Sequence, residues 1–222
     1  MRPGLQDPAT LLAAWEAGER APEPVRGAAV LTALDGSPWV DRPVAEVAVV
    51  AAQSLADLVD VVLTCQRCGT LLDLQLALGQ MVGARVASVQ CPVSFGEVSV
   101  RCPTVRDLLA AGGRPDARKV LLERCVDGWQ ELTAADLELV EQAFEELAGD
   151  AVPEVRAQCP DCGEQVTGVV DAAGLLWQQV AATAPGLLQD VAALAAAYGW
   201  TEPEILALSP ARRSAYLQLA AR

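Results

Sequence analysis

Histidine is absent from all 222 residues. That excludes Ser-His-Asp and Cys-His nucleophilic mechanisms, zinc hydrolases built on paired histidines, and any imidazole proton shuttle. Basic residues are scarce: 16 Lys and Arg stand against 29 Asp and Glu, a formal net charge of −13. So acidic a chain repels phosphate backbones and anionic lipid, which argues against general polyanion binding. Its small basic patch is Arg212, Arg213 and Arg222. No uninterrupted run of the 18 or more apolar residues expected of a membrane span is present, and the Val44–Ala52 run is broken by Glu46 and reads as a buried helix. The segment Met1–Asp7 lacks the basic head and apolar stretch of a signal peptide, so the expectation is a cytoplasmic chain with reduced thiols and no membrane partner. Phosphate-binding glycine loops, a G-x-S-x-G elbow and a dinucleotide fingerprint are missing as well. With these parts gone, the chain is expected not to be an enzyme.

What is present is a core and seven cysteines. Hydrophobic residues make up 52% and charged residues 20%, enough to bury an interior. The length suits one main body with an appended lobe. Four of the cysteines form two copies of C-x-x-C-G, Cys65-Gln66-Arg67-Cys68-Gly69 and Cys159-Pro160-Asp161-Cys162-Gly163, with residues 69–158 between their sulfurs. The two-residue spacing aims both sulfurs of a knuckle at one point, and the glycine allows the positive φ of a tight turn. Two knuckles together make a tetrahedral four-thiolate site, the closed geometry of structural Zn²⁺, with no position left for water or substrate. A redox C-x-x-C, which belongs at a helix N-terminus, and disulfides formed in an oxidising compartment are the competing readings. Strand-like flanks around both knuckles (Val61–Leu63, Leu71–Leu74, Val155–Ala157 and Val166–Val170) favour two hairpins carrying the knuckles at their tips.

The other three cysteines read as packing residues, with a second metal site or a bridge the alternative for Cys91 and Cys102. Cys125 falls at helical spacing from Leu121 and Leu122. Cys91 and Cys102 fall on the two arms of a hairpin over residues 86–102, where a turn at Gly96-Glu97 makes them cross-strand partners.

Elsewhere helices dominate. Asp7-Pro8 starts one that Gly18 is expected to end, residues 20–43 read as an irregular or short-helix connector, and a second helix is expected from Pro43 to Val59. Thr104-x-x-Asp107 and Asp116 open short helices. Thr133-x-x-Asp136 opens an amphipathic one with Leu137, Val140, Phe144 and Leu147 on one face, its glutamates forming a solvated side. Asp171 caps a helix through Trp177, Pro185-Gly186 is expected to break or kink it, and the next helix ends at Gly199. Thr201-x-x-Glu204 and Ser209-Pro210 then start two short terminal helices around a sharp corner. Their apolar density points to docking, onto the body or onto a partner.

The order of these parts resembles a known family. It comprises Leu11-Leu12-Ala13-Ala14-Trp15-Glu16-x-Gly18, Cys65-x-x-Cys68-Gly69, Arg101-Cys102-Pro103-Thr104-x-x-Asp107-Leu108-Leu109, Leu121-Leu122-Glu123-Arg124-Cys125, Cys159-Pro160-x-Cys162-Gly163 and Leu176-Trp177. It ends with Leu187-Leu188-x-Asp190-Val191-x-x-Leu194-Ala195-x-Ala197-Tyr198-Gly199-Trp200-x-Glu202-x-Glu204-Ile205-Leu206-x-Leu208-Ser209-x-x-Arg212-Arg213-x-x-Tyr216-Leu217. This looks like the phage baseplate protein family related to T-even-type baseplate hub assembly chaperones, found in contractile phage tails, tailocins and contractile injection systems. Cys91, Cys102 and Trp39 depart from the pattern.

The resemblance implies a structural or assembly role, with other baseplate, hub or spike proteins as partners and no catalytic residues. The same role would allow incorporation into an assembled tail-like particle. The fold expected is α+β: mostly helical, with a split four-cysteine zinc ribbon made of two knuckle hairpins and a further β-hairpin between them. Its regions are residues 1–60 (helical), 61–170 (ribbon, hairpin and inserted helices) and 171–222 (helical). Cys65, Cys68, Cys159 and Cys162 are the expected ligands of one structural Zn²⁺. Trp200, Ile205, Leu208, Arg212, Arg213, Tyr216 and Leu217 are the expected partner surface. The alternative function is a zinc-ribbon module binding nucleic acid or a regulatory partner.

Overall fold

The computed structural model describes Leu5 and residues 7–83 and 88–220. Arg222 of the basic patch, Val86 and Ala87 of the middle hairpin and most of the segment read for a signal peptide (residues 1–4 and 6) lie outside these. The chain begins with helices α1 (Pro8–Arg20), α2 (Arg26–Asp35) and α3 (Val44–Ser54), then strands β1 (Val59–Thr64) and β2 (Leu71–Leu76). A single turn α4 (Leu78–Met81) precedes β3 (Ser88–Val93), β4 (Gly96–Arg101), α5 (Val105–Ala111), α6 (Ala117–Cys125) and α7 (Ala134–Ala148). Strands β5 (Glu154–Gln158) and β6 (Gln165–Val169) lead into α8 (Ala172–Tyr198), α9 (Glu202–Leu206) and α10 (Pro210–Ala220). The fold is α+β, mostly helical, with three separate antiparallel hairpins among the described residues, β1-β2, β3-β4 and β5-β6.

Helix α8 is the axis of the body. Its residues Leu176, Val180, Ala184, Leu187, Val191 and Leu194 recur at three- and four-residue steps and are all buried. At the N-terminal half, Leu176 and Val180 join Val30, Leu31, Ala51 and Leu78 in the main core. At the C-terminal half, Leu187 and Leu194 join Leu11, Leu12, Ile205 and Leu206 in a second core. By length and mean hydropathy (27 residues, 1.4) α8 could cross a bilayer; here it is the helix against which α1, α2, α3 and α10 pack. A third core, with Val100, Leu122, Val140 and Leu147, holds β3-β4 against α6 and α7. The main core draws residues from all three expected chain regions, through α1–α3, the two knuckle hairpins and α8.

Several elements differ from expectation. α1 continues past Gly18 to Arg20, because this glycine serves packing: a Cβ there would lie 2.2 Å from the ring of Trp177 on α8. The connector 20–43 contains the ten-residue core helix α2, closed by Gly36 at φ 73° with its amide donating to Thr32. Trp39 then folds back into the main core, its indole Nε1 donating to the Asp35 carboxylate at 3.2 Å. α3 stops at Ser54, and Val59 starts a β-branched-rich strand whose successive residues alternate inward and outward. Pro185 does not break the chain's longest helix; it and Gly186 are exposed on α8, while the buried stripe passes behind them.

In the middle hairpin Val93 pairs with Gly96, so the turn is Ser94-Phe95. Cys91 therefore faces Val98, and Cys102 lies beyond the ladder in another cluster. The two are not cross-strand partners, because moving the turn shifts every opposing pair.

Candidate metal centre

The two C-x-x-C-G segments form the tips of β1-β2 and β5-β6, as their flanking strands predict. Both hairpins present an apolar face inward: Val59, Val61 and Leu63 from β1 oppose Leu76, Leu74 and Leu72 from β2. On the other hairpin Val155 and Ala157 oppose Gly168 and Val166. Gly168 is where they touch, since a Cβ there would meet the Leu63 side chain at 2.5 Å. Sequence order does not foretell this contact.

Each tip is the same turn. The Cys65 amide donates to the Thr70 carbonyl (2.9 Å) and the Gly69 amide to the Cys65 carbonyl (2.9 Å). The second tip repeats this with Cys159 to Glu164 (2.8 Å) and Gly163 to Cys159 (3.0 Å). Gly69 and Gly163 sit at φ 79° and 73°, in the left-handed region that an L side chain resists.

The tips bring all four sulfurs within 4.8 Å of one another. Cys65 Sγ lies 3.6 Å from Cys162 Sγ, and Cys68 Sγ 3.5 Å from Cys159 Sγ. Cys65 and Cys159 are buried, Cys162 is half-buried and Cys68 is exposed. Around the sulfurs pack Leu72, Val166, Leu63 and Ala157. A tetrahedral ion with metal–sulfur bonds of about 2.3 Å needs sulfurs ~3.8 Å apart, so the cluster has the size and donor chemistry to hold a metal ion.

Polar side chains clasp the tips reciprocally. Arg67, third in the first knuckle, pairs with Glu164, sixth in the second, at 3.3 Å. Thr70, sixth in the first, donates to Asp161, third in the second, at 2.6 Å. The pairs relate the knuckles by a local pseudo-twofold rotation. The Thr70 hydroxyl also lies 3.2 Å from Cys68 Sγ.

Metal-free, the sulfurs are electrostatically unequal. Thr70 favours the Cys68 thiolate and lowers its pKa, by its hydroxyl when that single proton turns from Asp161 to the sulfur and by its amide. At Cys162 the Glu164 amide also favours the thiolate, but burial and the three surrounding sulfurs outweigh it and push the thiol up to about 12. A bound cation would favour the thiolate at all four. The two-residue spacing in the sequence finds the four sulfurs that converge. Arg67–Glu164 and Thr70–Asp161 went unread, although opposite chemistry at the third and sixth knuckle positions was their signal.

Of the other cysteines, Cys125 is buried beside the Asp107 carboxylate, and Cys91 and Cys102 are buried in separate clusters. The residues expected to form a partner surface divide. Ile205 is wholly buried against α1 and α8 and so cannot reach a partner in this fold, because the corner after α9 turns it inward. Arg213 is largely enclosed, its Nε bonded to Asp190 at 3.2 Å and its Nη1 buried without a partner. Trp200 stacks on Tyr198 at 4.7 Å, and Tyr216 meets both rings edge-on at 4.9 and 5.8 Å. Leu208 and Leu217 are half-buried and Arg212 is exposed.

No protein-family model, curated protein or solved structure matches the chain.

Proposed function

We propose that the chain is a structural or chaperone-like assembly component of a contractile tail or injection-system baseplate. It folds around one structural Zn²⁺ and binds other baseplate or hub proteins through its C-terminal helices. The observation that carries the structural part is the convergence of four sulfurs from two distant knuckles. Four thiolates complete the coordination of Zn²⁺ and leave no position at which water or substrate could be activated, so the ion clasps rather than catalyses. The absence of histidine and the charge of −13 support a protein partner over an enzymatic or nucleic-acid role. The baseplate assignment rests on the order of motifs along the chain, above all the terminal run from Leu187 to Leu217.

Those terminal helices suit the role. α10 has no fully buried residue, and its Tyr216 and Leu217 rest half-buried against the second core, so each offers a partner only its outward half. Tyr216 and Leu217, with Trp200 beside them, supply the aromatic and aliphatic area that concentrates binding energy in interfaces.

Elemental analysis of the purified protein should give one zinc per chain, falling to near zero on Cys65→Ser with Cys159→Ser. Tyr216→Ala with Leu217→Ala should abolish co-purification with the baseplate or hub proteins encoded beside its gene, while circular dichroism stays unchanged. A metal-free protein would end the zinc assignment. Undiminished co-purification of the double variant would end the C-terminal docking assignment.

A further inference from the structure

A cavity of about 450 Å³ opens between α2, α3, α5, α6, α7 and the start of α8, away from the four sulfurs and from α9 and α10. Its size falls within the ~300–1,000 Å³ of ligand sites, but its lining is almost wholly carbon. Ala45, Ala48, Cys102, Ala148 and Ala173 contribute small side chains, and Val44, Leu108, Leu121 and Phe144 contribute large ones. Sites for small molecules fix orientation with a few convergent polar groups. Here the charged lining groups are Arg118, Glu141 and Asp171; Arg118 is already paired with Glu141, and Asp171 caps α8.

The backbone restricts the occupant further. The lining residues are mostly helical, and the linkers among them are bonded internally, Val44 to Pro103 at 2.8 Å and Val105 to Arg42 at 3.1 Å. An extended peptide would find no strand edge to pair with and would leave its own amides unsatisfied; a helix satisfies its own. Charge sets the rest. Glu141 lines the groove from α7, and the exposed Glu138 and Glu145 stand about one turn to either side of it. A ridge of three carboxylates thus borders an apolar slot on a chain of net charge −13; Arg118 offsets the charge of Glu141, and Glu138 and Glu145 keep the ridge negative.

We infer that this groove docks an amphipathic helix of a partner protein, with aliphatic anchors in the slot and Lys or Arg along the flank facing α7. The inference does not depend on the partner being a baseplate protein.

The test uses the metal-loaded full chain and a fluorescein-labelled Leu/Lys amphipathic peptide of about 18 residues, followed by anisotropy at about 0.15 M salt. The peptide should bind. Ala48→Trp, which fills the slot, should weaken it by at least about tenfold. Glu138→Lys with Glu145→Lys, both exposed and so safe for folding, should weaken it by about tenfold. A Leu/Glu peptide of equal length should bind the unaltered protein correspondingly worse. The inference is overturned if the Leu/Lys peptide fails to bind, if the Leu/Glu peptide binds as well, or if the charge-reversed variant binds unchanged. Uptake of a small neutral probe such as N-phenylnaphthylamine without either peptide would overturn it too, marking a small-molecule pocket. Unchanged binding by a folded Ala48→Trp would do the same.

Discussion

Asp107 is a carboxylate almost without access to water, and it ties three elements together. Arg101 at the end of β4 donates to it at 2.6 Å, Arg124 of α6 at 2.7 Å, and the amide and hydroxyl of Thr104 at 2.9 and 2.8 Å. Burial alone would raise its pKa; Arg101, Thr104 and Arg124 more than reverse this and hold it well below the usual aspartate range. A carboxyl whose pKa is lowered by folding stabilises the native state above its unfolded value of about 3.9, and that stabilisation is lost as the pH falls through and below it. Asp107→Asn should therefore cost about 3 kcal/mol at pH 7, the low end for breaking a buried pair because both arginines are partly exposed. The deficit should shrink as urea titrations move from pH 5 towards pH 3. An equal deficit at every pH would show that another group carries the acid sensitivity. Some sensitivity should persist in the variant, because Asp136 is also held low, by Thr133 and Ser94. The Thr104-x-x-Asp107 spacing made the helix cap legible. Nothing in it announced Arg101 and Arg124, whose approach depends on how β4 and α6 pack.

At the scale of elements, most helices, the knuckle hairpins and the sulfur site were readable because period and spacing are local properties. The errors came where one residue's intrinsic preference was set against packing. Pro185 is the sharpest case, because the helix runs through it without the break that its ring would favour. The 4-4-3-4-3 spacing of the α8 stripe runs unbroken through it, and burial of that stripe in two cores outweighs the hydrogen bond lost at one exposed position. Its missing N–H deprives the Ala181 carbonyl, one turn earlier, of a donor. A proline in a helix interior costs ~3 kcal/mol, of which its stiffening of the unfolded chain returns about 1. Pro185→Ala should then raise stability by about 2 kcal/mol and Tm by ~4–8 °C in a thermal melt. A lower Tm would mean that the stripe needs a proline-induced bend to serve both cores. Gly18 errs in the same way: read as a helix end, it is a place where two helices approach too closely for a side chain.

On the scale of the whole molecule, the four-sulfur cluster lies at the far end of two hairpins whose near ends belong to the body. Val59, Val61, Leu74 and Leu76 pack on the main core, whereas Leu72, Val166 and the sulfurs form a small cluster of their own. The sequence could pair the knuckles but not foresee this division, because which half of a hairpin meets the body depends on contacts distant along the chain. The division has a consequence for metal removal. In a metal-bound chain a cluster this small could not offset the entropy of ordering two tips once the ion is removed, while the main core contains none of the four sulfurs and keeps its burial. With free zinc at about 100 times its Kd, binding contributes ~2.7 kcal/mol, equivalent to ~100-fold in local opening. Chelation followed by hydrogen exchange should therefore accelerate amides in residues 63–72 and 157–167 by about that factor. Amides of α1, α2 and α8 should change little, and the far-UV helical signal should persist. Acceleration spread evenly over α8 would mean instead that the ion sustains the entire fold, and unchanged exchange at the tips would mean that the four sulfurs hold no ion.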